Sequence, residues 1–172
     1  LALKHNPQII INIAKENKNI DVLVIGAGSG YQKLKNMDNL PSNIKMLPLQ
    51  PFKLMNEILN SADVLLGILS DDASKFSVPS KILNYLCAGK PIILSAPKDN
   101  LSATIINESN SGKVFEPNDF NGINNFLKIL INNDTIKKKY SLNAREYANK
   151  NFKIQNISIK FKNLINNLNT YK

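Results

Sequence analysis

The chain has 172 residues, of which 43% are hydrophobic and 20% are charged. This length is typical of one folded domain, and the sequence predicts a single domain over residues 1–172. No apolar run approaches the roughly 18 residues of a membrane-spanning helix, and the first residues lack the pattern of an export signal. The one cysteine excludes an internal disulfide and a cysteine metal cluster. We therefore expect a cytoplasmic protein.

The chain is strongly basic, with 22 lysine and arginine residues against 13 acidic ones and a net charge of +9. Such a charge is typical of proteins that bind nucleic acid or anionic membranes. However, Arg145 is the single arginine, so forked guanidinium contacts to base edges are scarce. The lysines are spread along a chain that also holds 27 asparagines and 22 isoleucines, which indicates a genomic bias. We expect no nucleic-acid partner, and at most loose contact with the anionic inner face of the plasma membrane.

Short apolar runs alternate with stretches of helical periodicity over the first two thirds of the chain. The runs that predict buried strands are residues 22–25, 44–47, 64–69, 92–94 and 113–115. The stretches that predict helices between them are residues 7–18, 31–37, 51–60, 79–88 and 101–109. Prolines mark three of these helix starts, and Asn100 is a candidate N-cap. Three consecutive helices are predicted to follow, over residues 119–131, 135–149 and 153–168.

Alternating strands and helices, with strands that are apolar throughout, predict a parallel sheet covered by helices on both faces. The fold class is therefore a doubly wound α/β fold, followed by C-terminal helices. In such folds ligands bind beyond the carboxyl ends of the strands. The candidate site residues should consequently lie in the loops that follow the strands.

The first of these loops is the glycine-rich turn Gly26-Ala27-Gly28-Ser29-Gly30. Glycines at such a turn allow backbone amides to approach a phosphate. The dinucleotide fingerprint is incomplete, because its third glycine would fall on Tyr31 and the next strand ends without an acidic residue. The turn therefore either faces a phosphate or is a tight strand-to-helix connection without a ligand.

A lysine in the first turn of a predicted helix marks the second candidate position. Pro79 starts this helix, and Ser80 and Lys81 follow it directly. The helix dipole disfavours a cation at this end, but a phosphate would be bound both by the free amides and by the ammonium group. The alternative is that Lys81 extends into solvent.

Five short motifs, taken in order, give a resemblance to a known family. They are Pro48-Leu49-Gln50-Pro51, Ser61-Ala62-Asp63-Val64, Val78-Pro79-Ser80-Lys81, Ala88-Gly89-Lys90-Pro91-Ile92 and Ser111-Gly112-Lys113-Val114. Together they closely resemble the C-terminal domain of GT-B glycosyltransferases of family 4. Within that family the chain is most similar to bacterial enzymes of capsule or O-antigen polysaccharide synthesis that carry a Pro-Ser-Lys loop.

The resemblance implies that this domain binds the nucleotide of a sugar donor, usually a UDP-sugar. Gly26 and Gly28 would face the nucleotide, and the backbone at Leu47, Pro48 and Leu49 would read the base. Ser80 and Lys81 would hold the diphosphate, with Lys4 as a further phosphate ligand. Val78 and Pro79 would be further substrate-binding residues. The implied reaction is retaining glycosyl transfer without a metal or other cofactor. Lys81 would stabilise the leaving group, and no other catalytic residue is assigned.

Two departures from the family pattern limit what this domain can do. The usual pair of glutamates would align with Phe76 and Asn84; Asn84 could still bind ribose hydroxyls through its amide. The first strand of the domain and a whole N-terminal acceptor domain are expected ahead of Leu1. We therefore expect this chain alone to bind donor without transferring sugar. A non-catalytic nucleotide-binding or interaction domain, or a UDP-sugar epimerase of the same fold, are the alternatives.

Cysteine and the aromatic residues are predicted to be structural. Cys87 lies among leucines on the helix that starts after Pro79, which indicates a small buried side chain. Tyr140, Tyr147, Phe152 and Phe161 recur at helical spacing, which favours packing over base stacking.

Overall fold

The computed structural model of the chain describes residues 6–69 and 80–169. The strands are β1 (Val22–Ile25), β2 (Ile44–Leu47), β3 (Leu65–Ile68), β4 (Ile92–Ser95) and β5 (Gly112–Phe115). The helices that alternate with them are α1 (Gln8–Glu16), α2 (Ser29–Lys35), α3 (Met55–Ser61), α4 (Ser80–Ala88) and α5 (Leu101–Ser109). A 3-10 turn, Phe52–Leu54, precedes α3. After β5 come α6 (Phe120–Asn132), α7 (Asp134–Asn151) and α8 (Ile154–Asn169). The predicted order of elements is confirmed.

All the strand pairs are parallel, as predicted, but the strands form two sheets where the sequence predicts one. β1 pairs with β2, and β3, β4 and β5 form a second sheet with β4 in the centre. In the described part of the chain no ladder joins β1 to β3. The sequence could not reveal this division, because an apolar run indicates that a strand is buried and not which strand it pairs with.

Helices cover both faces of the strands and create two apolar clusters. The first cluster joins the two sheets, since it combines α1, α2 and α6 with Val24 and Ile44 of one sheet and Ile93 of the other. The second cluster packs α4, α5 and α7 on the opposite face, against Ile92 and Leu94. All four residues of β4 are buried. Alternate residues of one strand therefore face different helical layers, which confirms the doubly wound α/β fold.

The helix ends test two sequence predictions. Asn100 is the N-cap of α5, and its side-chain oxygen accepts a hydrogen bond of 2.8 Å from the amide of Ser102. Gly89 follows α4 with φ +64°, the left-handed conformation that glycine adopts at this position without strain. Both positions are as predicted. Pro7, in contrast, is the N-cap residue of α1 and not its first helical residue.

Asn43 connects the end of α1 to the start of β2. Its amide donates to the carbonyl oxygens of Ala14, Asn17 and Ile20 over 3.0, 3.1 and 3.0 Å. These carbonyls lie at and just beyond the C-terminal end of α1, where helix carbonyls lack helical partners. One side chain therefore supplies the hydrogen bonds that this chain reversal needs.

Replacing Asn43 with alanine is expected to lower the free energy of unfolding by about 1–2 kcal/mol, because three carbonyl groups lose a shared donor. Urea unfolding followed by circular dichroism measures the change. Asn36→Ala, at an exposed residue after α2, is the matched control and should shift stability by less than about 0.5 kcal/mol. Equal midpoints for the two variants would show that the Asn43 network is not stabilising.

Candidate functional site

Two of the predicted loops lie side by side at the carboxyl ends of β1 and β2. Ile25 is paired with Leu47 in the parallel register, and the Gly26 amide donates to the Leu47 carbonyl over 3.1 Å. The chain then turns at Gly28, the N-cap residue of α2, which has φ +99° and ψ 176°. Residues with side chains are strained in that conformation. The glycine-rich turn thus begins next to the exit of β2, and residues 27–29 are exposed.

The exit of β2 presents an apolar surface to solvent. Leu47 and Pro48 are exposed, and Leu49 is 71% exposed. The turn is fixed by the Gln50 side-chain amide, which donates to the carbonyl of Pro48 over 2.9 Å. Phe52 follows at 86% exposure. Exposed aromatic and leucine side chains at a strand exit offer a flat apolar surface that the ring of a ligand can contact.

The first turn of α4 carries Ser80 and Lys81, both exposed. Although the Lys81 side chain reaches solvent, the protein mass around it partly desolvates the ammonium group and lowers its pKa. None of the ion pairs among the described residues involves Lys81. An ammonium group with this environment gains more from an anionic ligand than a fully hydrated lysine does.

One turn beyond Lys81, Asn84 opens onto a groove of about 410 Å³ between α3, α4 and α7. Phe52, Lys53 and Arg145 also line this groove. Arg145 donates from its guanidinium group to the carbonyl of Ala88 at the end of α4 over 3.3 Å. The groove therefore brings the predicted ribose ligand, Asn84, onto the same surface as the aromatic ring that follows β2.

The sequence predicts that the Cys87 side chain is buried. This prediction is wrong, because Cys87 is exposed and lines the same groove. The buried side of α4 consists of Ile82 and Leu86, and Cys87 lies just outside that stripe. The prediction that the aromatic residues pack is confirmed for three of them, since Tyr140 packs edge-on against Phe126 and Tyr147 against Phe152. It is wrong for Phe161, which is 67% exposed.

Part of the predicted site falls within the residues that the structure describes. Lys4, Phe76, Val78 and Pro79 lie outside the described residues. The structure does bring the glycine-rich turn next to residues 47–49, and it places Asn84 with Phe52. Phe52 was not among the predicted site residues. An aromatic residue directly after Pro51, at a strand exit, is the feature of the sequence that could have indicated it.

Residues 6–69 and 80–169 hold no group of three histidine, cysteine, aspartate or glutamate side chains arranged to bind a metal ion. That the implied glycosyl transfer needs no metal ion remains a prediction. Within the same residues, no helix has both the length and the apolar character required to cross a bilayer.

Comparison with known proteins identifies the family. The family model described as "Glycosyl transferases group 1" matches residues 1–150. No curated protein matches the chain.

Several crystal structures are similar in fold. WaaG, a glycosyltransferase involved in lipopolysaccharide biosynthesis, superposes with a TM-score of 0.68 at 18% identity, over 85% of this chain and 40% of WaaG. TarM of S. aureus, in a complex that includes UDP, gives a TM-score of 0.73 at 16% identity, over 95% of this chain and 33% of TarM. The C-terminal domain of LpcC, a group 1 family protein from Francisella tularensis, gives 0.60 at 19% identity, over 90% of this chain and 84% of that domain.

These matches fit the architecture described above. The chain spans well under half the length of WaaG and of TarM, but most of the isolated LpcC domain. Its parallel strands and two helical layers are those of one half of a GT-B glycosyltransferase, as the sequence predicts. The chain belongs to the family of group 1 glycosyl transferases.

Proposed function

We propose that this chain is the donor-binding domain of a retaining glycosyltransferase that uses a UDP-sugar. The observation that carries the proposal is the adjacency of the Gly26–Gly28 turn and the exit of β2 at one carboxyl edge. This edge is where doubly wound folds bind nucleotides. TarM, which has the same fold, was crystallised with UDP, and this supports UDP as the nucleotide.

Each part of the nucleotide has a proposed contact. The uracil lies at the backbone of Leu47, Pro48 and Leu49, where the apolar surface is exposed. The ribose hydroxyls bind the Asn84 amide, which can both donate and accept. The diphosphate lies at the first turn of α4 with Ser80 and Lys81, and Lys4 supplies a further cation for it.

The proposed chemistry places the largest change of charge at the diphosphate. Cleavage of the sugar–phosphate bond passes through an oxocarbenium-like state, and negative charge grows on the leaving oxygens. Free amides of the α4 N-terminus and the Lys81 ammonium would stabilise that charge, by about 3 kcal/mol for a well-placed donor. Neither requires a metal ion.

The acceptor side belongs to a second domain in this proposal. A lipid-linked or growing surface polysaccharide of a bacterium would receive a hexosyl or N-acetylhexosaminyl group there. Among residues 6–69 and 80–169, β1 pairs only with β2 and β3 pairs only with β4, which supports a further strand between β1 and β3 in the complete enzyme. The present chain would then bind donor without transferring sugar.

Calorimetric titration of the purified chain with UDP, UDP-glucose, UDP-N-acetylglucosamine, GDP and NAD tests the proposal. We expect UDP and at least one UDP-sugar to bind, and NAD not to bind, because the dinucleotide fingerprint is incomplete. Binding of NAD alone would overturn the proposal. Binding of none of the five would instead favour an interaction domain without a nucleotide site.

A further inference from the structure

Helix α4 carries three of the groups that the proposed function assigns to the ligand. Ser80 and Lys81 lie in its first turn, and Asn84 follows one turn later. On the other side of the helix, Ile82 and Leu86 are fully buried. Apolar burial is non-directional, so the position of the helix along its own axis also depends on polar contacts at its ends.

The C-terminal end of α4 is covered by Arg145 of α7. Its guanidinium group donates to the carbonyl of Ala88, the last residue of α4, over 3.3 Å. The same side chain lies over Gly89, because a Cβ atom built on that glycine would lie 3.1 Å from the Nε atom and 3.3 Å from the Cβ atom of Arg145. The last carbonyls of a helix lack helical partners, and the helix dipole favours a cation there. Arg145 therefore holds this helix end both as a donor and as a positive charge.

Close packing of α7 on α4 brings Arg145 to this position. Ala144 and Ala148 of α7 are buried in the same apolar cluster as the buried side of α4. Small side chains at a contact allow two helices to approach closely. None of the ion pairs among the described residues involves Arg145. Within that part of the chain, no carboxylate therefore competes with the Ala88 carbonyl for the guanidinium group.

The same helix also holds the end of α5, and this contact provides an internal comparison. The Asn143 amide donates to the carbonyl of Asn110, the C-cap residue of α5, over 2.8 Å. None of the proposed nucleotide ligands lies on α5. Asn143 and Arg145 are thus near neighbours on α7 that hold two different helices, of which only α4 belongs to the proposed site.

We propose that Arg145 is a positioning residue for nucleotide binding, and that it acts by fixing the C-terminal end of α4. Lys81 lies seven residues before Ala88, or about 10 Å along the helix axis. A shift of the helix at Ala88 therefore displaces Lys81 and Asn84 together, and binding groups tolerate only small displacements. The effect on binding rests on the proposed function, whereas the contact between Arg145 and α4 does not.

Calorimetric titration of the full chain with UDP and with uridine tests the proposed role. Arg145→Met removes the charge and the donors, and it should weaken UDP binding about tenfold and uridine binding about threefold, because Lys81 and Asn84 both move. Arg145→Lys keeps a cation that can donate to the Ala88 carbonyl, and it should recover most of the affinity. Asn143→Ala is the matched control and should leave the affinity for both ligands unchanged.

Amide hydrogen exchange of the ligand-free chain separates positioning from direct contact with the ligand, since Arg145 also lines the groove beside Asn84. In Arg145→Met, the amides at the end of α4 should exchange about five- to tenfold faster than in wild type, because this helix end opens more easily. In Asn143→Ala, only the amides at the end of α5 should exchange faster.

The two measurements together decide the proposal. Weaker UDP binding by Arg145→Met with unchanged exchange in α4 would show that Arg145 contacts the ligand directly, and positioning would be refuted. Faster exchange in α4 with unchanged UDP affinity would refute it as well. If the wild type bound no nucleotide, the proposed function and the role of Arg145 in binding would both fail, and the exchange rates would then show whether Arg145 still fixes α4.

Discussion

Replacing Gly112 with alanine is expected to cost about 4 kcal/mol or more in the free energy of unfolding, a large share of the stability of a domain of this size. A Cβ atom at this position would overlap the carbonyl oxygen of Ile92, and would lie 2.6 and 2.9 Å from its carbonyl carbon and nitrogen. These are backbone atoms of β4, the central strand of its sheet. No side-chain rotation can relieve the overlap, so β5 would have to move away from β4 and break the ladder.

Gly67→Ala is the matched control in the same sheet. Its Cβ would meet the terminal carbons of Ile82 and Leu94 at 2.7 and 3.0 Å. Ends of flexible side chains can shift, so this variant should lose only about 1–2 kcal/mol. Urea unfolding and the yield of soluble protein measure both effects. If Gly112→Ala were as stable as Gly67→Ala, that result would contradict the close approach of β5 to β4.

Lys81→Ala is expected to weaken UDP binding by about 10- to 100-fold, corresponding to the loss of one charge-assisted contact to the diphosphate. Uridine, which lacks phosphate, should bind wild type and variant equally. Calorimetric titration with both ligands measures the difference. Lys128→Ala, at an exposed position on α6, controls for the general loss of one positive charge.

The pH dependence of UDP binding provides a second test of Lys81. Desolvation lowers the pKa of its ammonium group, so the positive charge is present below that pKa and is lost at a less alkaline pH than for an ordinary lysine. UDP affinity of the wild type should therefore fall as the pH rises through this range. Lys81→Arg should keep its affinity there, because arginine stays charged. If Lys81→Ala lost affinity for UDP and for uridine alike, that result would contradict the diphosphate assignment.

Local features of the fold were predictable because they depend on neighbouring residues. Apolar runs located β1 and β2 with their observed bounds, and Asn100 and Gly89 marked helix ends through their own backbone and side-chain chemistry. The pairing of β1 with β2, and of β3 with β4, depends on contacts between residues far apart in sequence. No local pattern encodes those contacts, so the division into two sheets was not predictable.

The candidate site was predictable where a residue broke a local rule. Gly28 is required by a positive φ, and Lys81 opposes the helix dipole, so both could be singled out in advance. Cys87 was misplaced because the width of the buried stripe on α4 depends on the helices packed against it. Phe52 was missed because its exposure depends on packing, although its position directly after Pro51 at a strand exit was visible in the sequence.

The elements on the two sides of the groove beside Asn84 differ in how tightly they are packed. On one side, α4 is anchored by Ile82 and Leu86, which are fully buried. On the other side, neither the 3-10 turn nor α3 contains a buried residue, and the Lys90 ammonium donates to the Asn60 carbonyl near the far end of α3 over 2.7 Å. Segments with so little burial open locally at low free energy. A ligand entering the groove would therefore meet one preformed surface and one that adapts its shape, and part of its binding free energy would be spent in ordering the second.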